Sequence, residues 1–397
     1  MKQSHSTCAK HLVLIALALT AACLCIHANA QTYSVLYQFK SGNDGSFPAA
    51  GVAIDTKRVA LYGTTAEDGQ YAAGTVFKFN KSGESVLHSF TGEGGDGNDP
   101  YGNGTLVFDA SGTMYGTVQG GGIYGGTNCV TSGCGIVFKV DQTGKETVLY
   151  QFQGGTDGFT PEGPVAIDAA GNVYGATAFG GGFGEGAVFK IDPSGNETVL
   201  YSFTQIGDGA RPEGGVVMDG SGNLYGTTQL GGLYSGGTVF KISPSGAETI
   251  LYNFGTNSGD GIFPTSSVSL DGQGNIYGTT YMAGEFGYGN VFNVTQSGSE
   301  ISLYNFALPG PAYPYYCGAI TDTSGNIYGV TTGGGTYGLG TVYKIDTNRN
   351  ITILHNFKGP DGKVPYGNLA LDPSGNLYGT TSQGGKFGGG VIFRIKP

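Results

Sequence analysis

The sequence predicts an all-β fold: a seven-bladed β-propeller with four-stranded blades, its ring closed when the N-terminal strand completes the C-terminal blade. Three observations predict it. A strand-like phrase recurs at even intervals, each interval divides into four strand-like pieces, and the two chain ends carry complementary fractions of a unit. The phrase reads SGNLYGTT at 221–228 and 374–381, GNVYGAT at 171–177, GNIYGTT at 274–280 and GNIYGVT at 325–331.

The first thirty residues stand apart from this pattern. Lys2 and Lys10 precede the apolar run LVLIALALTAACLCI, which ends in HANAQ. A charged start, a short apolar stretch and an Ala-x-Ala site after Ala30 read as a signal peptide over 1–30, so the chain is expected to be exported. An alternative makes Cys23, in LTAAC, a lipid-modified residue, although Thr20 stands where a large aliphatic is usual. No later stretch offers 18 consecutive apolar residues, and no transmembrane segment is expected.

Residues 31–397 are expected to form a single propeller domain and a monomer. Without Lys2 and Lys10 they carry 17 Lys+Arg against 29 Asp+Glu, a net charge of −12 that disfavours nucleic acid and anionic lipid as partners. Glycine numbers 76 of 397, which without a collagen triplet means disorder or many tight turns. The 22 Phe and 25 Tyr interleaved with it argue for turns around a core.

The folded part begins with an orphan strand, YSVLYQF (33–39), equivalent to the fourth strand of a unit. Seven units follow, aligned on Tyr62, Tyr115, Tyr174, Tyr225, Tyr277, Tyr328 and Tyr378, with spacings of 53, 59, 51, 52, 51 and 50 residues. In the unit around Tyr225 the pieces are GVVMD (215–219), LYGTT (224–228), TVFKI (238–242) and ETILYNF (248–254). Val, Ile, Thr, Tyr and Phe fill the strands; Gly, Asp, Asn, Ser and Pro fill the breaks. Strands apolar on both faces suit blades stacked face to face. The chain ends after a third strand, GVIFRI (390–395), so the orphan strand would complete the seventh blade and remove two exposed edges. Tyr and the Gly after it are expected to let neighbouring blades pack. The aspartate before each first turn (Asp55, Asp109, Asp168, Asp219, Asp271, Asp322, Asp372) is expected to accept the turn's own N–H groups. One carboxylate per turn is too few for a calcium shell.

The text GTVFKI…SGAETILYNF…DG…P…DGSGNLYGTT…GG resembles the Gloeo/Verruco (GloVer) tandem repeat family of exported bacterial proteins, from Tyr33 to Ile395. The resemblance implies a repeat architecture with varied surface anchors and carries no catalytic residues over. After FRIKP no apolar tail, basic stop or sorting motif follows, so a C-terminal anchor is not expected.

Chemistry is sparse. Two histidines, His88 and His355, follow the leader, both in place of the fourth-strand tyrosine, and are read as packed strand residues; no metal site and no cofactor are expected. There is no tryptophan, nucleophile elbow, P-loop or dinucleotide fingerprint. Cys129 and Cys134, in a lengthened second-unit loop, are expected to form a local disulfide, leaving Cys317 unpaired and buried.

Candidate site residues lie on the face where the long loops emerge. The second-to-third-strand loops carry Tyr71, Tyr124, Phe183, Tyr234, Phe286, Tyr337 and Phe387, a ring that could stack on sugars or fill gaps beside each blade. Loops between blades carry Asp44, Asp96, Asp157, Asp208, Asp260 and Asp361, read as turn-formers. The sixth breaks the rule with LPGPAYPYYCG, bringing Tyr313, Tyr315 and Tyr316. Glu162 and Glu213 occupy matching PEG positions, with Arg211, Glu185 and Glu285 on the same face. Paired carboxyls could serve as acid and base on a glycosidic bond; a solvated acidic rim is the plainer expectation. The expected function is that of a binding or scaffold propeller for carbohydrate or another surface protein. A polysaccharide hydrolase or lyase using Glu162, Glu213 and Arg211 is the alternative, and a purely structural surface protein the third reading.

Overall fold

The computed structural model describes residues 31–396 apart from 103, 123–128, 130–132, 257 and 258. Its strands form seven four-stranded antiparallel sheets. Blade 1 comprises Ala53–Asp55, Ala60–Thr65, Thr75–Asn80 and Gly83–Ser89. Blades 2, 3, 5 and 6 occupy 107–151, 166–202, 269–305 and 320–356, and blade 4 runs from Val217–Met218 through Glu248–Asn253. Blade 7 takes Lys363–Leu371, Leu377–Gln383 and Val391–Lys396 from the C-terminus and Thr32–Gln38 from the N-terminus. Tyr33 pairs with Ile395 and Gln38 with Val391, so the ring closes as the sequence predicts. The expected leader lies outside the described residues, and no described helix is long and apolar enough to cross a membrane.

The first turn of each blade is fixed by its aspartate. In blade 4, Asp219 Oδ1 accepts the N–H groups of Ser221 and Asn223 at 2.8 and 2.9 Å, while Oδ2 accepts Asn223 Nδ2 and the Tyr225 hydroxyl at 2.8 and 3.0 Å. Partial burial pushes this carboxyl up, but the hydrogen bonds outweigh burial and hold it below its ordinary range. In blades 2 to 7 the tyrosine thus ties its strand to its turn. In blade 1 Asp55 takes Arg58 instead and the Tyr62 hydroxyl donates to Gln142, while the Tyr62 ring faces the next blade and meets Phe108 at 5.4 Å. The glycine after it has a different role from the one expected. A Cβ on Gly226 would lie 2.6 Å from the ring of Phe240, its cross-strand partner, so this glycine admits an aromatic within the blade.

Blades are joined by a repeated aromatic contact. The Phe ending each fourth strand packs edge-on against the third-strand aromatic of the following blade: Phe39–Phe77 at 5.2 Å, Phe203–Phe240 at 5.1 Å, Phe357–Phe393 at 5.4 Å. Phe39 belongs to the N-terminal strand, so the closing seam uses the same contact as the others. Each such Phe is fully buried, and removing one would cost about 3–5 kcal/mol.

Both long loops of a blade emerge on one face and are pinned together. Ser46 bridges Glu67, Phe159 bridges Phe179 and Ala210 bridges Leu230, and Gly97–Asn98 pairs with Gly120–Gly121. The inter-blade aspartates do more than form turns: Asp208 accepts the Thr204 N–H at 2.9 Å and the Tyr201 hydroxyl at 2.8 Å, stapling loop to strand. Cys129 and Cys134 form the expected disulfide, with Cα atoms 5.1 Å apart, and Cys317 is a free, buried thiol.

Candidate functional site at the channel mouth

Each blade is entered through a proline: Pro48, Pro100, Pro161, Pro212, Pro264, Pro314 and Pro365. The residues before them, Phe47, Asp99, Thr160, Arg211, Phe263, Tyr313 and Val364, all have positive φ, between 53 and 60°. None is glycine, although only glycine takes this conformation without strain, and each costs about 1–3 kcal/mol. The loops enforce it. The Arg211 N–H donates to the Glu185 carbonyl and the Arg211 carbonyl accepts the Gln229 N–H, both at 2.9 Å. The same two-sided clamp recurs at Phe47, Thr160, Phe263 and Tyr313. A rigid face therefore holds seven side chains whose identities vary while the framework repeats.

The residue after each proline also varies: Ala49, Tyr101, Glu162, Glu213, Thr265, Tyr315 and Tyr366. Here the blades converge on the axis. A Cβ on Gly163 would fall 2.2 Å from the Gly215 nitrogen. Asn368 of blade 7 donates to Ser267 Oγ at 2.6 Å, before blade 5, and accepts the Gly318 N–H at 2.9 Å, before blade 6.

Above this constriction Tyr316 reaches across from the loop entering blade 6. Its hydroxyl lies 2.8 Å from Glu162 Oε2 and 3.3 Å from Glu213 Oε2. The two carboxyls, on loops entering blades 3 and 4, are thus brought together. Glu162, Glu213 and Tyr316 are 9%, 7% and 4% exposed, so the pair is not the solvated rim expected from its charge. Burial pushes Glu162 up to about 7, offset in part by the Tyr316 hydrogen bond and the Arg211 charge. Glu213 is pushed up to about 8, by burial and then by the charge of Glu162. Near neutrality the pair holds at least one proton. Because the Tyr316 hydroxyl stands between them, they form a buried, hydrogen-bonded cluster rather than two carboxyls flanking an open bond.

Around this centre lies a belt of half-buried rings. Phe47 stacks on Tyr101 at 5.7 Å, Tyr101 meets Tyr366 at 6.2 Å and Tyr315 meets Tyr316 at 4.3 Å. Tyr281 meets Tyr315 at 4.8 Å and Tyr288 meets Tyr313 at 5.3 Å. Arg211 sits 4.8 Å over the Phe179 ring, which stacks on Phe159 at 5.3 Å. Tyr313 and Tyr315 are thus members of a larger group. Tyr101, Tyr366 and Phe47 escaped sequence reading; aligning the seven proline loops would have exposed them as the columns that vary.

Six of the seven loop aromatics are placed differently. Tyr71, Phe183, Tyr234, Phe286, Tyr337 and Phe387 are 47–66% exposed, one per blade. Tyr124 lies outside the described residues. Among the described residues no ring contact joins any two of them. Glu185 contributes its carbonyl to the Arg211 clamp, and Glu285 is exposed, its N–H donating to Asn305 Oδ1 at 3.1 Å. On the opposite, tight-turn side a cavity of about 570 Å³ opens between blades 7 and 1, beside Leu36, Ile54, Leu61, Phe79, Tyr378 and Arg394.

The Gloeobacter/Verrucomicrobia repeat matches residues 121–281 and again 264–397. No curated protein matches the chain. Among solved structures, the extracellular domain of BT4673 from B. thetaiotaomicron is similar at 11% identity with a TM-score of 0.57, covering 91% of this chain and 39% of that one. This chain therefore spans about two fifths of that structure's length, and the likeness is one of fold. A gluconolactonase from Xanthomonas campestris, XC5397, aligns at 13% identity with a TM-score of 0.43, covering 72% of this chain and 83% of that one.

Proposed function

Because this chain belongs to the Gloeobacter/Verrucomicrobia repeat family and departs from its own repeat at the channel mouth, we propose that it is an exported binding propeller that takes a carbohydrate ligand on the long-loop face. The observation that carries the reading is the belt of half-buried rings on and beside the strained, clamped positions that enter each blade, Phe47 and Tyr313 on them and Tyr101, Tyr315 and Tyr366 one proline further on. Aromatic faces stack on the C–H faces of sugar rings, and tyrosine hydroxyls supply hydrogen bonds at the rim. The exposed ring at Tyr71, Phe183, Tyr234, Phe286, Tyr337 and Phe387 is a second, peripheral set of stacking positions for a long chain. Export is supported by the charged, apolar and Ala-x-Ala pattern over 1–30 and by the Cys129–Cys134 disulfide.

A glycan-array screen of the purified protein tests this. Selective binding is expected, weakened about tenfold per ring by Tyr101→Ala or Tyr366→Ala and retained in Glu162→Gln/Glu213→Gln. The hydrolase or lyase reading draws on the two raised carboxyls. Loss of arrayed sugar over time, abolished by the double glutamine variant, would establish it instead. Silence across the array would overturn the carbohydrate reading in favour of a protein ligand or a structural role.

A further inference from the structure

At the outer seam between blades 1 and 2 the repeat changes its chemistry. In four other seams a fourth-strand tyrosine donates its hydroxyl to the linker aspartate: Tyr37 to Asp44, Tyr150 to Asp157, Tyr201 to Asp208 and Tyr252 to Asp260, at 2.7, 3.2, 2.8 and 3.0 Å. Each such aspartate faces a half-buried glutamate that starts the next blade's fourth strand. Between blades 1 and 2 the tyrosine is replaced by His88, which faces Asp96 and Glu146. Among the described residues this is the one group of three or more such side chains that offers ligand atoms all within 4.8 Å of one another.

We infer that His88, Asp96 and Glu146 form a site for a divalent transition-metal ion of the zinc class. Two observations point to a ligand beyond the cluster itself. His88 Nε2 is shielded from solvent and has no hydrogen-bond partner, whereas the unpartnered Glu146 Oε1 is a feature it shares with Glu84, Glu197, Glu248 and Glu300. His88 Nε2 also stands 3.5 Å from Asp96 Oδ1, too long for a good hydrogen bond. That separation matches the edge of a zinc tetrahedron, roughly 3.4 Å for bonds of about 2.0–2.1 Å. At the seam between blades 6 and 7 the same replacement is satisfied directly, His355 Nε2 meeting Asp361 Oδ2 at 3.0 Å. His88 lacks that close contact with Asp96, and a cation held between the imidazole nitrogen and the carboxylate would satisfy both. The ligands are held in place by their surroundings. Asp96 accepts the N–H groups of Thr91 and Gly97 at 2.8 and 2.7 Å, and the His88 ring is set edge-on against Phe90 at 4.9 Å. One imidazole with two carboxylates suits zinc, manganese or iron, and three protein ligands leave a position for water or a partner's donor. Because the ligands come from both blades and their linker, the ion would also clamp the seam.

The sister seams provide the control, since His88→Tyr restores the residue that four of them carry. Chelator-stripped protein is dialysed against Zn²⁺ and its bound metal counted, alongside His88→Tyr, His355→Tyr and Glu146→Gln. The expected result is one Zn²⁺ per chain more in the wild type and His355→Tyr than in His88→Tyr, with Glu146→Gln weakened tenfold or more. Zn²⁺ should raise the melting temperature of the wild type but not of His88→Tyr. Equal occupancy in wild type and His88→Tyr, or loss on His355→Tyr instead, would overturn the assignment. A folded His88→Tyr protein, checked by its far-ultraviolet spectrum, separates metal loss from misfolding.

Discussion

Tyr343 shows how far a single atom can depart from the repeat. The equivalent third-strand position holds Phe77, Phe138, Phe189, Phe240, Phe292 and Phe393 in the other six blades. Tyr343 packs against Phe306 at 5.3 Å as those rings do, and it is fully buried. Its hydroxyl has no hydrogen-bond partner and points at Gly329, where a Cβ would lie 2.3 Å away. A hydroxyl removed from water without compensation is a cost, and burial pushes its ionisation further up. Tyr343→Phe is therefore expected to stabilise the protein by about 1 kcal/mol. Urea unfolding measures it, and a lower midpoint for the variant would show that the hydroxyl has an unrecognised partner.

The N-terminal strand shows what one element contributes to the ring. Thr32–Gln38 pairs with Val391–Lys396, Tyr33 stacks on His355 at 3.6 Å and donates its hydroxyl to the Asp361 carbonyl at 2.6 Å, and Phe39 seals the seam with blade 1. Deleting residues 31–40 would expose the ladder edge of Val391–Lys396 beside an unfilled seam. The shortened chain is expected to lose its single cooperative melt and to form higher oligomers through that edge, read by light scattering on a sizing column. A monomer with an unchanged melting temperature would mean that blade 7 closes without it. This strand was legible in the sequence because YSVLYQF repeats the text of ETILYNF and the C-terminus stops one strand short. The four-strand order and the Asp-anchored turns were legible for the same reason: period-driven features are written seven times. The channel mouth was not. Glu162 and Tyr316 are 154 positions apart, and their meeting depends on the radius of the closed ring, which no local pattern encodes. PEG and PYYCG could be marked as departures, but not as neighbours. The His88 seam was missed because one histidine looks insufficient until the fold supplies carboxylates from a linker and the next blade.

Across the whole molecule, repetition multiplies one titration into a pH response. Glu84, Glu146, Glu197, Glu248 and Glu300 open the fourth strands of blades 1 to 5, each with Oε1 buried and without a partner. Burial pushes each up to about 7, and the charge of Asp44, Asp96, Asp157, Asp208 or Asp260 beside it adds to the rise. Glu162 and Glu213 follow the same direction at the channel mouth. An unfolded glutamate titrates near 4.3, so in each case the folded state holds its proton to higher pH. The stability this contributes is fully present below about pH 4 and is lost as pH rises through 7 to 8. The turn aspartates act oppositely. Their folded values are lowered, so their contribution is present above about pH 4 and lost on acidification. Together they place maximal stability at roughly pH 4–5, with a decline on the alkaline side steeper than one group could give, because several protons leave over the same interval. Melting curves from about pH 2 to 9, recorded with chelator so that the His88 seam stays empty, should show a maximum at roughly pH 4–5 and a clear fall by pH 9. The triple variant Glu197→Gln/Glu248→Gln/Glu300→Gln keeps a neutral side chain at every pH and should flatten the alkaline limb while leaving the acid limb in place. A wild-type melting temperature that holds or rises toward pH 9 would mean that these carboxyls ionise freely in the folded ring, and that the seams between blades are wetter than their packing implies.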